Sequence, residues 1–170
     1  MSDRDAEFRD FVTARLDPLR ALAYLTCGDW QVAEDAAVTA LSKLYLRWGK
    51  VDHPEAYART IAVRAAIDET RRPWWRREQS HGDALPELPV DGEQHEIDER
   101  LRIRQALSRL PVKLRAVLVL RYLEELSVQE TAAALRCPEG TVKAYTSRGL
   151  EALREILDER KEGRRAFRHG

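Results

Sequence analysis

Apolar residues recur at three- and four-residue spacing along most of the chain, which is the period of an amphipathic helix. In the N-terminal part this spacing predicts helices over about residues 5–27, 30–48 and 54–72. Gly28 breaks the pattern after the first helix, Pro54 suits the first turn of the third, and Pro73 ends it. No alternating β pattern occurs in the sequence. This part of the chain is therefore predicted to be a small all-α bundle.

The helical pattern resumes at Ile97 and predicts a second all-α module. Helices are expected over about residues 97–110 and 112–123, followed by the segment LSVQETAAALRCPEGTVKAYTSRGLEAL at 126–153. In this segment Ser127 and Glu130 have the spacing of a capping box, and a tight turn then precedes a second amphipathic helix. This is the spacing of a helix-turn-helix.

Residues 73–96 contain prolines, glycines and acidic residues without helical period, which predicts a flexible acidic linker. The predicted fold is all-α, with two small helical modules at 5–72 and 97–160. A basic tail at 161–170 is expected to be frayed.

Charge is segregated along the chain although the formal net charge is zero. Residues 78–98 carry seven Asp and Glu and no Lys or Arg, whereas residues 99–170 carry 16 Lys and Arg against 10 Asp and Glu. A basic C-terminal module suits a nucleic-acid partner. The acidic linker is either a plain tether or a segment that mimics nucleic acid and covers the basic module. In the second case, replacing its acids with Ser or Gln raises the DNA affinity of the free protein.

The second helix of the helix-turn-helix opposes its apolar stripe with small and basic side chains. A helix face of this kind can enter a major groove, because basic side chains contact phosphates and guanine edges. An ordinary solvated surface is the alternative. Tyr145 lies towards the apolar side and is expected to pack in the core. Arg115 on the preceding helix is expected either to contact phosphate or to form a surface ion pair, and the same two roles are open for Arg121. The candidate DNA-binding residues are Thr141, Lys143, Ala144, Ser147, Arg148 and Arg121.

The sequence contains no motif that indicates an enzyme. A P-loop, a Rossmann glycine pattern and an HExxH motif are missing, and the four histidines are scattered. Cys27 and Cys137 form no CxxC pair and are expected to be free thiols in packed positions. We expect a protein without catalytic residues, cofactor or metal. No run approaches the roughly 18 apolar residues of a membrane span, and the acidic N-terminus lacks a signal-peptide core. These features predict a cytoplasmic protein without membrane insertion.

The chain resembles the extracytoplasmic-function (ECF) sigma factors, the smallest σ70-type initiation subunits, over about residues 8–158. The similarity is closest over RQALSRLPVKLRAVLVLRYLEELSVQETAAALRCPEGTVKAYTSRGLEALR. Within this segment, residues 140–143 (GTVK) and Arg148 are the most specific to the family. The resemblance implies a helical region 2 that binds core RNA polymerase and the −10 element. It further implies a linker and a region 4 that contacts the −35 element.

The segment TCGDWQVAEDAAVTALSKLYLRW resembles the part of the family that packs on the clamp helices of the polymerase β′ subunit. Val38 stands where the family usually has glutamine, and Leu41 where it has phenylalanine. Two acids early in a helix also stabilise its dipole, and an apolar stripe is usually core. The resemblance implies polymerase binding by Glu34, Asp35, Val38, Leu41 and Tyr45.

The segment HPEAYARTIAVRAAIDETRR resembles the part of the family that handles −10 DNA. Tyr57 replaces the usual tryptophan and Arg64 the usual asparagine. Arginines beside aromatic rings suit unpaired bases. Trp74 and Trp75 either join this surface or hold the linker against the bundle. The resemblance implies −10 contacts by Tyr57, Arg59, Arg64, Asp68, Arg71 and Arg72.

The expected function is that of a sigma factor that binds core polymerase and directs promoter-specific transcription initiation. The partners that the resemblance implies are the β′ clamp helices and β flap of core RNA polymerase, promoter DNA and an anti-sigma factor. Two alternatives remain open from the residues alone. One is a stand-alone helix-turn-helix regulator whose N-terminal bundle senses a ligand or dimerises. The other is a helical adaptor without a DNA role.

Overall fold

The computed structural model describes residues 2–71 and 94–168, and every regular element within these ranges is helical. The chain divides into two compact units, Met1–Leu88 (unit 1) and Pro89–Gly170 (unit 2). Arg72, Trp74, Trp75 and most of the predicted acidic linker lie outside the described residues.

Unit 1 is a bundle of three helices, α1 (Asp3–Cys27), α2 (Trp30–Leu46) and α3 (Pro54–Thr70). A tight turn joins α1 to α2. Gly28 ends α1 in the left-handed conformation, with φ of 75°, which glycine adopts at no steric cost. Asp29 then caps α2, because its Oδ1 accepts a hydrogen bond from the backbone N–H of Val32 at 3.1 Å.

Alanine dominates the contacts among the three helices of unit 1. Small side chains let helix axes approach closely, since the interaxial distance depends on the residues at the contact. Leu19, Leu41 and Leu44 supply bulk to the same core, and Phe8 and Trp48 pack at its edge with ring centroids 5.3 Å apart. The fully or almost fully buried alanines are Ala23, Ala33, Ala36, Ala37, Ala40, Ala58, Ala62 and Ala66.

Unit 2 contains α4 (Gln94–Ser108), α5 (Val112–Leu118), α6 (Val128–Leu135) and α7 (Glu139–Arg168), with a π-helical turn at Val119–Leu123 after α5. The long α7 packs against α4, α5 and α6. The buried apolar core is Ala106, Leu107, Leu110, Ala116, Val117, Leu118, Val119, Leu120, Leu126, Ala132, Ala134 and Val142.

Arg115 lies inside unit 2 and not on its surface, where both predicted roles had placed it. The residue is 4% exposed, and its Nη2 donates to the carbonyl oxygen of Leu110 at 3.0 Å and to that of Ser108 at 3.4 Å. These carbonyls lie at and just beyond the end of α4, where backbone acceptors lack helical partners. Arg115 therefore joins α5 to the end of α4.

Several helix ends differ from the predicted bounds by about two residues or more. Helix α2 ends at Leu46 and α3 at Thr70, each about two residues early. Helix α4 begins at Gln94, inside the predicted linker, where the Gln94 amide donates to Asp98 one turn later at 3.0 Å. Helix α7 continues to Arg168, so the prediction of a frayed tail from residue 161 is wrong. Strong helix formers such as Glu, Arg, Lys and Ala account for this continuation.

Candidate nucleic-acid interface and partner-binding face

The helix-turn-helix of unit 2 is built by local hydrogen bonds. The predicted capping box of α6 is confirmed, because Ser127 Oγ accepts from the N–H of Glu130 and Glu130 Oε1 accepts from the N–H of Ser127, both at 3.0 Å. Arg136 ends α6 in the left-handed region, with φ of 54°. The carbonyl of Pro138 accepts from the N–H of Thr141 at 3.0 Å and so starts α7.

One side of α7 is held against the rest of unit 2. Val142 is fully buried, and Tyr145 packs against its cluster, as expected. Gly149 lies so close to α5 that a Cβ atom there would stand 3.0 Å from a Leu118 methyl group. The glycine therefore permits a close helix contact that fixes the rotation of α7.

The opposite side of α7 carries the predicted contact residues. Lys143, Ser147 and Arg148 are exposed, and Thr141 and Ala144 are half-buried. Space is also open at Gly140, where an added Cβ would meet no atom within 4 Å. The face therefore combines two cations with small side chains, a composition that allows a helix backbone to approach a major groove.

Arg148 packs over the ring of Tyr145, with 5.5 Å from its guanidinium carbon to the ring centroid. The residues are three apart and therefore neighbours on the helix surface. Arginine over an aromatic face is a favourable cation–π arrangement. This pairing was not predicted from the sequence, although the three-residue spacing could have indicated it. Tyr145 thus contacts the core of unit 2 and also one of the candidate DNA-binding side chains.

Arg121 is half-buried in the π-helical turn. Its Nη1 donates to the carbonyl oxygen of Leu126, immediately before the N-cap of α6. The side chain therefore stabilises the turn that leads into the helix-turn-helix. DNA contact by Arg121 stays a prediction.

Both cysteines are free thiols, as expected. Cys27 is buried, and its Sγ lies 3.3 Å from the carbonyl oxygen of Asp29. Cys137 is half-buried in the turn of the helix-turn-helix and packs against the Val142 cluster. Burial raises the pKa of the Cys137 thiol, and the nearby Lys113 opposes that effect. Among the described residues, no group of His, Cys, Asp and Glu is arranged to hold a metal ion.

Helix α2 of unit 1 has one exposed face that is partly apolar. Asp35, Val38 and Tyr45 lie on it at three- and seven-residue intervals, with Val38 53% and Tyr45 43% exposed. Leu46 at the end of the helix is 74% exposed. Large apolar side chains at this exposure, beside a carboxylate, are typical of a protein-binding surface.

Two other predicted polymerase contacts occupy different positions. Leu41 is 7% exposed and belongs to the core of unit 1, so its side chain packs within the bundle and not on the exposed face. Glu34 is half-buried, and its Oε1 lies 4.0 Å from Nη2 of Arg20 on α1. The Arg20 guanidinium also packs over the ring of Trp30, 5.2 Å from its centroid.

Helix α3 arranges the predicted −10 residues on two sides. Tyr57, Arg64 and Asp68 share one side of the helix at seven- and four-residue spacing, and Arg71 follows, with its Nη1 3.9 Å from Asp68 Oδ1. Arg59 lies about 140° from Arg64 around the helix. Arg59 is therefore on the side that carries buried alanines and Val63, away from Tyr57 and Arg64.

The ring of Tyr57 also packs against the bundle core. Arg64 is half-buried and takes part in interactions within the protein. Of the described members of the −10 set, Asp68 and Arg71 are exposed.

In the described ranges 2–71 and 94–168, every helix is too short or too polar to cross a membrane.

Two family models match the chain. The model of sigma-70 region 2 matches residues 11–76, and the model of sigma-70 region 4 matches residues 100–153. These matches cover most of α1, all of α2 and α3, and the helix-turn-helix of unit 2, and together they span more than half of the sequence.

Curated relatives match along most of the chain. The RNA polymerase sigma-E factor of Streptomyces coelicolor is 36% identical, over 89% of this chain and 86% of the relative. The ECF RNA polymerase sigma factor SigW of Bacillus subtilis is 32% identical, over 91% of this chain and 90% of the relative.

A solved structure has the same fold. It is the co-crystal structure of the sigma factor RpoE in complex with the anti-sigma factor NepR from Bartonella quintana. The match has a TM-score of 0.67 and 22% identity, and it covers 89% of this chain and 97% of that chain.

Proposed function

We propose the following roles for the surfaces of this chain, which belongs to the ECF sigma factors of the sigma-70 family. The protein is a sigma factor: it binds core RNA polymerase and directs promoter-specific initiation of transcription. The stand-alone regulator is not favoured, because both a region 2 and a region 4 match, in the sigma-factor order. Sigma factors are regulatory and non-catalytic, and we propose that this chain carries no enzymatic site of its own.

The α7 face of unit 2 contacts the −35 element in this proposal. The supporting observation is the pair of exposed cations, Lys143 and Arg148, beside the small residues Gly140, Ala144 and Ser147. Thr141 lies in the first turn of α7, where the helix dipole favours an anion such as a phosphate. The close contact at Gly149 keeps this face turned away from α5.

Reversal of both cations tests the α7 face. With Lys143→Glu and Arg148→Glu together, transcription from a dependent promoter falls at least about tenfold, because each base or phosphate contact contributes roughly 1–3 kcal/mol. The affinity for core polymerase is measured in parallel and stays unchanged. Arg154→Glu is the matched control, since Arg154 is exposed on the same helix beyond the face. Equal loss in the control would contradict a specific role for the face.

The exposed face of α2 binds core polymerase in this proposal, through Asp35, Val38 and Tyr45, with Glu34 at its edge. The observation that supports it is the exposure of Val38, Tyr45 and Leu46 on a helix whose other apolar residues are buried or, at Trp30, half-buried. Within the family this helix contacts the β′ clamp helices. Leu41 supports the face from inside the bundle.

A charge placed on the α2 face tests this role. Val38→Asp weakens the affinity for core polymerase by about tenfold or more, as expected when a buried interface position receives an unpaired charge. Lys43→Asp is the control, because Lys43 is exposed on the same helix about 140° from Val38. Fluorescence titration of each labelled protein with core polymerase measures both. Equal affinity of the Val38→Asp variant and the unchanged protein would exclude the face.

Opened −10 DNA is bound along the outer side of α3 in this proposal, by Tyr57, Arg64, Asp68 and Arg71. Arg72, which lies outside the described residues, extends the set in sequence. Arg71 supports the proposal best because it is exposed at the end of α3. Arg71→Glu reduces permanganate reactivity of promoter thymines in open complexes, whereas it leaves polymerase binding intact.

The proposed domains are region 2 at residues 5–72, the linker at 73–96, region 4 at 97–160 and the tail at 161–170. We further propose a contact of region 4 with the polymerase β flap, an anti-sigma partner and a cytoplasmic location, all on the basis of family membership.

A further inference from the structure

The N-terminal segment (residues 2–8) packs against the end of the proposed polymerase-binding face. The hydroxyl of Tyr45 donates to Oδ1 of Asp5 at 3.0 Å. The ring of Phe8 lies 5.0 Å from that of Tyr45, between centroids. Arg4 donates from Nη2 to the backbone carbonyl of Tyr45 at 3.2 Å, and its guanidinium carbon lies 5.8 Å from the ring centroid. Three side chains of α1 thus hold one tyrosine of α2.

The contact fixes the tyrosine and leaves it accessible. Tyr45 remains 43% exposed, so one side of its ring is available to a partner. A tyrosine at the end of a surface helix otherwise samples several rotamers, and ordering such a side chain on binding costs free energy. Restraint by Asp5, Arg4 and Phe8 removes part of that cost before the partner arrives.

The directions in which the pKa values of the Asp5 carboxyl and the Tyr45 hydroxyl shift agree with this geometry. Hydrogen bonds from the Ser2 and Tyr45 side chains lower the pKa of the Asp5 carboxyl. The bond to Asp5 raises the pKa of the Tyr45 hydroxyl. At neutral pH the pair is therefore a phenol that donates to a carboxylate, a charge-assisted hydrogen bond.

We propose that Asp5, with Arg4 and Phe8, is a positioning residue that presents Tyr45 to core RNA polymerase. The polymerase-binding surface thereby extends from α2 to the first turn of α1. This inference rests on the proposed polymerase-binding role of the α2 face. Neither Asp5 nor Arg4 belongs to the residues that the family resemblance indicated.

Asp5→Ala tests the positioning role in the full-length protein. The variant removes the acceptor for the Tyr45 hydroxyl and weakens the affinity for core polymerase by roughly threefold. Asp5→Asn restores much of the affinity because an amide oxygen still accepts this bond. Asp3→Ala is the matched control, since Asp3 is an exposed acid in the same helical turn. Fluorescence titration with core polymerase measures all three.

A double-mutant cycle separates positioning from direct contact. Tyr45→Phe removes the donor and keeps the ring, and the Asp5→Ala/Tyr45→Phe protein binds no more weakly than the weaker single variant. Additive losses would overturn the inference, because the two groups would then act independently. Unchanged or tighter binding by Asp5→Ala would also overturn it, and tighter binding would mean that the N-terminal segment shields Tyr45.

Two further measurements distinguish this failure from failure of the α2 face itself. Val38→Asp reports on the face without touching the N-terminal segment. If Val38→Asp weakens polymerase binding and Asp5→Ala does not, the face stands and the positioning role is wrong. Ser2→Ala weakens the cap of α1 but keeps Asp5 as the acceptor of the Tyr45 hydroxyl, so it leaves the affinity for core polymerase unchanged. A loss of affinity in Ser2→Ala would mean that general fraying of α1 causes the effect of Asp5→Ala.

Discussion

The faces proposed on α7 and on α2 differ in how well their sequences separate contact residues from core residues. On α7, all five predicted DNA-binding side chains are exposed or half-buried, and the core residues Val142 and Gly149 lie opposite. On α2, one of the five predicted polymerase contacts, Leu41, is in the core, and Glu34 pairs with Arg20 of α1. Helical periodicity therefore assigned one face well and the other only in part.

The number of sides on which each helix packs explains the difference. The N-terminal part of α7 is covered on one side, so its polar and apolar stripes correspond to solvent and core. Helix α2 packs against both α1 and α3, and only a narrow strip stays exposed. That strip itself contains apolar residues, Val38 and Tyr45. An apolar residue on α2 can accordingly serve either the core or a partner, and its spacing alone does not decide which.

The largest effect is expected when a core residue of α2 is shortened, in comparison with a residue on the exposed face of the same helix. Leu41→Ala lowers the free energy of unfolding of unit 1 by about 2–4 kcal/mol, because it leaves a cavity in the core. Val38→Ala changes it by less than about 0.5 kcal/mol, since Val38 is exposed. Denaturation followed by tryptophan fluorescence measures this difference selectively, because all four tryptophans precede residue 94. Similar losses for the two variants would mean that α2 has no separate contact face.

A smaller effect is expected where α7 meets α5. Gly149→Ala lowers the free energy of unfolding of unit 2 by about 1 kcal/mol, because the added methyl group overpacks against Leu118. Gly163→Ala is the matched control: its Cβ would meet no atom within 4 Å, so higher helix propensity stabilises the protein by up to about 1 kcal/mol. Circular dichroism at 222 nm during urea denaturation measures both. Equal stabilisation would show that α7 is not held closely to α5.

The helix-turn-helix also contains a buried hydroxyl whose removal is expected to stabilise unit 2. Thr131 is fully buried, and its Oγ1 has no hydrogen-bond partner among the residues that the structure describes. Thr131→Val therefore raises the free energy of unfolding by about 1 kcal/mol. Thr146→Val is the comparison, because Thr146 Oγ1 donates to the carbonyl of Val142 at 2.7 Å and that bond would be lost. Destabilisation by Thr131→Val would indicate that its hydroxyl is satisfied in solution.

The smallest effect concerns the pH dependence of the same motif. Burial raises the pKa of Cys137, so the folded state favours the neutral thiol. This contribution to stability is complete below the unfolded-state pKa of the thiol and is lost as pH rises towards the folded-state pKa. Iodoacetamide therefore alkylates Cys137 more slowly in the folded protein than in urea at pH 8.5. Peptide mass spectrometry measures the two rates. The difference in free energy of unfolding between the unchanged protein and Cys137→Ala also shrinks above pH 8.5. Faster alkylation of the folded protein would contradict a raised pKa of Cys137.

Much of the fold was predictable because its signals are local. Gly28 and Pro54 mark helix ends, and the Ser127–Glu130 capping box forms as its spacing indicated. The end of α3 was misplaced by about two residues although Pro73 follows it, because a proline limits a helix without fixing its last turn. The continuation of α7 to Arg168 depends on the summed propensities of many residues and has no single sequence signal.

The sequence by itself determined the all-α class, the two helical modules and the exposed face of α7, because helical period and capping act over a few residues. Only the tertiary structure decided which apolar residues of α2 are core, that Arg115 is buried, and that Asp5 meets Tyr45 forty positions away. These outcomes depend on which helix sides meet in space. Period along the chain gives the angle of a side chain around its own helix, whereas burial and partners depend on the neighbouring helices.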